Sequence, residues 1–144
     1  MTGEEFTLIQ RFESDAVPED SFHHADHVRL AFAYLSRYPA LEALEKFSSA
    51  LKRYVAGRGK PERYNETVTY AYFFLIRERI VRSGAADWEE FARRNVDLLA
   101  GRDGILTLYY EVATLQSDLA RGLFLFPDKL YPSLRHSSLD GKKR

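Results

Sequence analysis

Apolar residues recur at three- and four-residue intervals along almost the whole chain, and no segment joins strict alternation to flanking hairpin-turn residues. The pattern therefore predicts an all-α fold. A first helix is expected from Glu4 to Asp15, where Thr2 and Glu5 have capping-box spacing and Phe6, Ile9 and Phe12 share a face. Val17-Pro18-Glu19-Asp20 ends it. A second begins at His24 or Ala25 and reaches Arg37. Its Val28, Leu30, Ala31, Phe32, Ala33, Tyr34 and Leu35 make it apolar on nearly every side, the mark of a central helix.

Pro39 stops that helix at Tyr38 and opens a third, which runs to Ala56 with Leu41, Leu44, Phe47, Leu51 and Tyr54 as its stripe. Gly57, Gly59 and Pro61 break it. A fourth helix spans Asn65 to Arg82, again with a broad apolar face. Asp87 and Glu90 open a fifth, which carries Trp88, Phe91, Val96 and Leu99 and closes at Gly101. Shorter helices are expected over Asp103 to Tyr110 and from Thr114 or Ser117 to Leu125, with extended chain after Pro127. The sum is a compact single-domain bundle of about five to seven helices over residues 1–136, with 137–144 as a flexible tail.

The chain has 144 residues, 45% hydrophobic and 14% aromatic, enough for one core. Its 21 basic and 21 acidic residues cancel, so no global field draws it to nucleic acid or an anionic membrane. A basic run, Lys52, Arg53, Arg58, Lys60 and Arg63, reads as a solvated helix end and loop, and no nucleic-acid partner is expected. The absence of cysteine excludes disulfides, thiolate metal sites and thiol nucleophiles. Without a leader-like apolar segment or the roughly 18 apolar residues of a membrane span, the expected location is cytoplasmic, with no membrane partner.

The candidate chemistry is concentrated. Three of the four histidines, His23, His24 and His27, lie within five residues at the head of the second helix, and imidazole serves as metal ligand and as proton carrier near neutral pH. His23 and His27 are one turn apart. Short connections make consecutive helices antiparallel, so the second and fourth helices run the same way and bring Arg63-Tyr64-Asn65-Glu66-Thr67 to the same mouth. Helix N-termini there favour an anion.

On this reading Glu66 and His27 are the catalytic candidates, and His23, His24, Arg29, Tyr64 and Asn65 the ligand-binding ones. His23, His27 and Glu66 are the donors for a divalent metal, and Tyr64 and Thr67 supply hydroxyls. Each residue also has a plain structural role open to it. Ser21 or Asp26 caps the second helix, Asn65 caps the fourth, Glu66 balances a helix dipole, and Arg29 pairs with Glu66. Known metal patterns do not apply: Asp26-His27 reverses the phosphohydrolase order, His23 is followed by His24 rather than the glutamate of a zincin, and no Glu-x-x-His pair marks a di-iron bundle.

Phe22-His23-His24-Ala25-Asp26-His27-Val28-Arg29-Leu30-Ala31 with Tyr34-Leu35 resembles the opening signature of a family of small uncharacterised bacterial proteins. Tyr64-Asn65-Glu66-Thr67 is similar to that family's Tyr-His-Glu-Thr motif, Leu106 to Tyr110 to its Leu-x-x-Tyr-Tyr element, and Phe126-Pro127-Asp128 to its closing Pro-Asp segment. The resemblance implies no particular activity. This chain departs from it at Asn65, where the family has histidine, and at Phe32, where tryptophan is common. If the family's histidine binds metal, Asn65 weakens that site, since an amide oxygen suits harder cations than zinc.

Two functions follow as expectations. One is a His/Glu site at the joined helix ends that binds a metal or small anionic ligand, with hydrolytic or acid-base activity. The other is a non-enzymatic interaction or regulatory module using Leu123, Phe124, Phe126 and Tyr131, residues that serve equally as a lid packed back on the bundle.

Overall fold

The computed structural model describes residues 3–101 and 104–129. Among these residues the fold is all-α: α1 Gly3–Glu13, α2 His24–Arg37, α3 Ala40–Gly57, α4 Glu66–Ser83, α5 Trp88–Arg94, α6 Val96–Leu99, α7 Val112–Leu115 and α8 Asp118–Gly122, with 3-10 turns at Glu19–Ser21, Pro61–Arg63 and Ile105–Leu108. No described helix is long and apolar enough to cross a membrane. The expected Thr2 cap, the start at Asp103, Tyr131 and the tail lie outside the described residues.

α2 is the central helix: Leu30, Ala31, Ala33 and Tyr34 are wholly buried, and α1, α3 and α4 pack around it. Its sequence has too few polar positions to show water a face, so burial on several sides is the stable solution. α3 contributes Ala43, Leu44, Phe47, Leu51 and Tyr54 to the core, whereas Leu41, expected in that stripe, is exposed just after Pro39. Asn65 caps α4, its Oδ1 accepting from the Val68 N–H at 3.0 Å. Gly84 ends α4 in the left-handed region at φ +64, a conformation an L side chain resists.

Among the described residues there are eight α-helices, five of them of seven residues or more, against the about five to seven expected. The stretch from Trp88 to Leu99, expected as one helix, divides at Asn95. That residue is buried with ψ at 47, its Nδ2 donating to the Phe91 carbonyl at 2.9 Å and its Oδ1 accepting from Arg79 at 2.9 Å. A short amide that bonds the preceding turn offers the backbone an alternative to another helical turn. Of the two starts expected for the last helix, the structure has Ser117, which caps α8 through the Ala120 N–H, and the helix stops at Gly122; Thr114 belongs to the separate short α7.

Arg79 also grips Asp97 through two bonds of 3.0 and 2.8 Å, and these hold the Asp97 carboxyl below its usual range. A lowered carboxyl stabilises the fold above the ordinary aspartate pKa and loses that contribution as pH falls through the lowered value. With the Asp97 side chain 55% exposed, solvent screening keeps the contribution under about 1 kcal/mol. Asp97→Asn is thus expected to lower stability by that much at pH 7. Urea denaturation repeated near pH 3 should show the deficit shrinking; a deficit that persists unchanged in acid would mean Asp97 acts through packing or hydrogen bonding alone.

Candidate functional site

The reversals at Tyr38-Pro39 and across residues 58–65 bring the N-terminal ends of α2 and α4 to one mouth, where both motifs line a cavity of about 730 Å³. From α2 come His23, His24, His27 and Val28; from the start of α4 come Tyr64, Asn65, Val68, Thr69, Tyr72 and Ile76. These positions recur at three- and four-residue spacing, the stripe that one helical face presents. Phe47, Leu51 and Tyr54 of α3 and Leu115 of α7 complete the apolar walls.

The three histidines do different things. His23 sits at the N-cap of α2, its N–H donating to the Asp26 carboxylate at 2.9 Å. His24 donates through Nε2 to the Leu98 carbonyl at 2.8 Å and meets the Tyr72 ring edge-on, 4.9 Å between centroids. Because a carbonyl only accepts, that bond places the proton on Nε2. His27 stacks on Phe22 with centroids 4.1 Å apart.

Asn65 spends its amide at both ends, accepting from Val68 N–H and donating from Nδ2 to the Leu115 carbonyl at 2.8 Å. It therefore joins α4 to α7 at the cavity wall. Glu66, the expected general base and metal donor, does not line the cavity. Its carboxylate accepts from the Tyr64 hydroxyl at 2.7 Å and lies 3.7 Å from Lys52 Nζ. Burial, and then the bond to Glu66, pushes the Tyr64 phenol well up, so it stays protonated. The cause of the departure is helical geometry: Val68, Thr69 and Tyr72 turn one face of α4 inward, and Glu66, two residues before Val68, lies about 200° round the helix from it.

Arg29 and Asp26 are displaced for the same reason. Both face a smaller cleft of about 310 Å³ on the other side of α2, and the Arg29 guanidinium lies 5.7 Å from the Trp88 ring centroid rather than beside Glu66. Thr67 also points away from the cavity. Fully buried, its hydroxyl donates to the Leu123 carbonyl at 2.8 Å and accepts from Leu125 N–H at 3.1 Å. The expected metal set of His23, His27 and Glu66 is thus not assembled, and among the described residues no group of three or more His, Asp or Glu side chains could hold a metal ion.

The cavity also gains Arg58, Lys60 and Arg121, beside Arg63, which the sequence already brings to the mouth with Tyr64, against the carboxylates Glu19 and Glu62. Arg58, Lys60 and Arg63 belong to the basic run expected as a solvated helix end and loop. The signal for them was present, because the same loop carries Tyr64 to the mouth; no local pattern pointed to Arg121. Arg58 is committed to structure. It stacks over Tyr54 at 3.6 Å and donates to Asp15 at 2.7 Å and to the Val17 carbonyl at 3.0 Å. Arg121 bonds the Gln116 carbonyl at 3.1 Å and pairs with Asp118. Among the described residues the Lys60 and Arg63 side chains pair with Glu19 alone, at 2.7 and 3.3 Å, and the bond from Lys60 holds the Glu19 carboxyl below its usual range.

Phe124 of the segment after α8 stacks with Tyr70, and the Leu125 carbonyl accepts from the buried Tyr110 hydroxyl at 2.7 Å. That segment lies back against the bundle, while Phe126 is 83% exposed. Comparison with protein-family models, curated proteins and solved structures finds no match. The chemistry of the cavity is therefore read from its own side chains.

Proposed function

We propose that the protein binds a small organic anion in the cavity at the joined N-terminal ends of α2 and α4. One observation carries this reading: the His23-His24-His27 segment and the Tyr64-Asn65 segment line one cavity with four basic side chains and an apolar floor. Ligand sites commonly combine an apolar concavity of several hundred Å³ with a few orienting polar groups, and this one falls in that range. His27 is stacked on Phe22 in the cavity wall, which sets its ring beside a bound ligand. Glu66 has no part in this site, because its carboxylate serves Tyr64 and Lys52 outside the cavity.

The test is a thermal-shift panel of small carboxylates and phosphate esters, with hits measured by calorimetry. At least one member is expected to stabilise the protein, and His27→Ala to weaken it by about fivefold, the size of one lost ring or hydrogen-bond contact. A panel that stabilises nothing would refute this reading. The alternative, a non-enzymatic interaction module, draws on the exposed Phe126, but Leu123, Phe124 and Leu125 are engaged by the bundle itself.

A further inference from the structure

The cavity has two kinds of lining. It holds the buried rings of Tyr54 and Tyr72, with Phe22 set against Tyr54 at 5.1 Å between centroids. Its mouth is spanned by Glu19, which reaches from the connection between α1 and α2 to Lys60 and Arg63 in the connection between α3 and α4. Glu19 is thus a carboxylate of the chain itself, seated on the two cavity cations that have no other hydrogen-bonding partner among the described residues. The Glu19 and Arg63 side chains are 43% and 59% exposed, so the contact is screened and exchangeable. Arg58 and Arg121 are poor seats by comparison, since each already bonds a carboxylate and a backbone carbonyl.

Resting on the cavity reading above, we infer that the ligand is an amphipathic aromatic anion whose charged head replaces the Glu19 carboxylate on Lys60 and Arg63 while its ring lies against Phe22, Tyr54 and Tyr72. Aromatic walls favour a flat ring over a branched aliphatic body, through offset and edge contacts. Charge exchange at the mouth would make Glu19 a built-in competitor that sets selectivity, admitting only anions able to displace it.

Calorimetry with 2-naphthoate, neutral 2-naphthylmethanol and acetate separates ring from head. The naphthoate is expected to bind at least about tenfold tighter than either of the others, because only it uses both kinds of lining. Glu19→Gln should tighten naphthoate by about threefold, more so at low salt, and leave the alcohol unchanged. The double variant Lys60→Gln, Arg63→Gln should bring naphthoate down to the level of the alcohol. Circular dichroism checks that these surface variants keep their helices. Naphthoate affinity unchanged in both variants, equal affinity for the alcohol, or no binding of any probe would each overturn the inference. The first two leave the cavity occupied and so leave its ligand-binding role standing; that role fails only if the broader panel fails.

Discussion

Replacing Asn65 by alanine is expected to destabilise the protein by about 2–3 kcal/mol, seen as a lower urea midpoint and a Tm reduced by about 5–10 °C. Two losses combine. The Val68 N–H at the start of α4 loses its cap, worth about 1 kcal/mol, and the Leu115 carbonyl loses its donor in a part-buried setting where replacement is costly. Asn65→Asp separates them, since aspartate still caps but cannot donate to Leu115. An intermediate loss is expected. If Asn65→Asp matched the native protein, the bond to Leu115 would contribute nothing and α7 would be held by other contacts. Because Leu115 and Gln116 line the cavity, Asn65→Ala should also weaken ligand binding beyond its effect on stability.

Thr67→Val is the second large effect, about 2 kcal/mol. Valine matches threonine in shape, so the packing of this fully buried residue is preserved and only its hydroxyl is lost. That hydroxyl links α4 to both the Leu123 carbonyl and the Leu125 N–H. Its removal leaves a donor and an acceptor unsatisfied against an apolar surface. Hydrogen exchange gives the local readout: the Leu125 amide should lose protection in Thr67→Val and regain most of it in Thr67→Ser. A valine variant as stable and as protected as the native protein would show that Tyr110 and the Phe124-Tyr70 stack suffice to hold the segment.

Much of the architecture was legible because it rests on local rules. The apolar period, the prolines and glycines, and the caps Asn65 and Asp87 set the long helices to within a residue or two, since each acts on its own or the next turn. The break at Asn95 was not legible. It depends on Arg79, 16 residues away, and on burial that gives a single amide enough weight to interrupt a good helical pattern. Leu41 erred the other way, an apolar residue at helical spacing on a turn that nothing covers.

The site divides along the same line. Sequence alone determined that His23, His24 and His27 begin one helix, that Tyr64 and Asn65 begin another, and that two short reversals bring those beginnings together. It did not determine which neighbours face inward. A rotation of about 200° separates Glu66 from Val68 on α4, and only the packing of α2 and α4 against α1 and α3 chooses the inward side of each turn. Tertiary structure therefore sent Glu66 to Tyr64 and Lys52, and Arg29 to Trp88. It brought Lys60 and Arg63 to Glu19 across the mouth, a meeting of residues more than forty positions apart that no local pattern encodes.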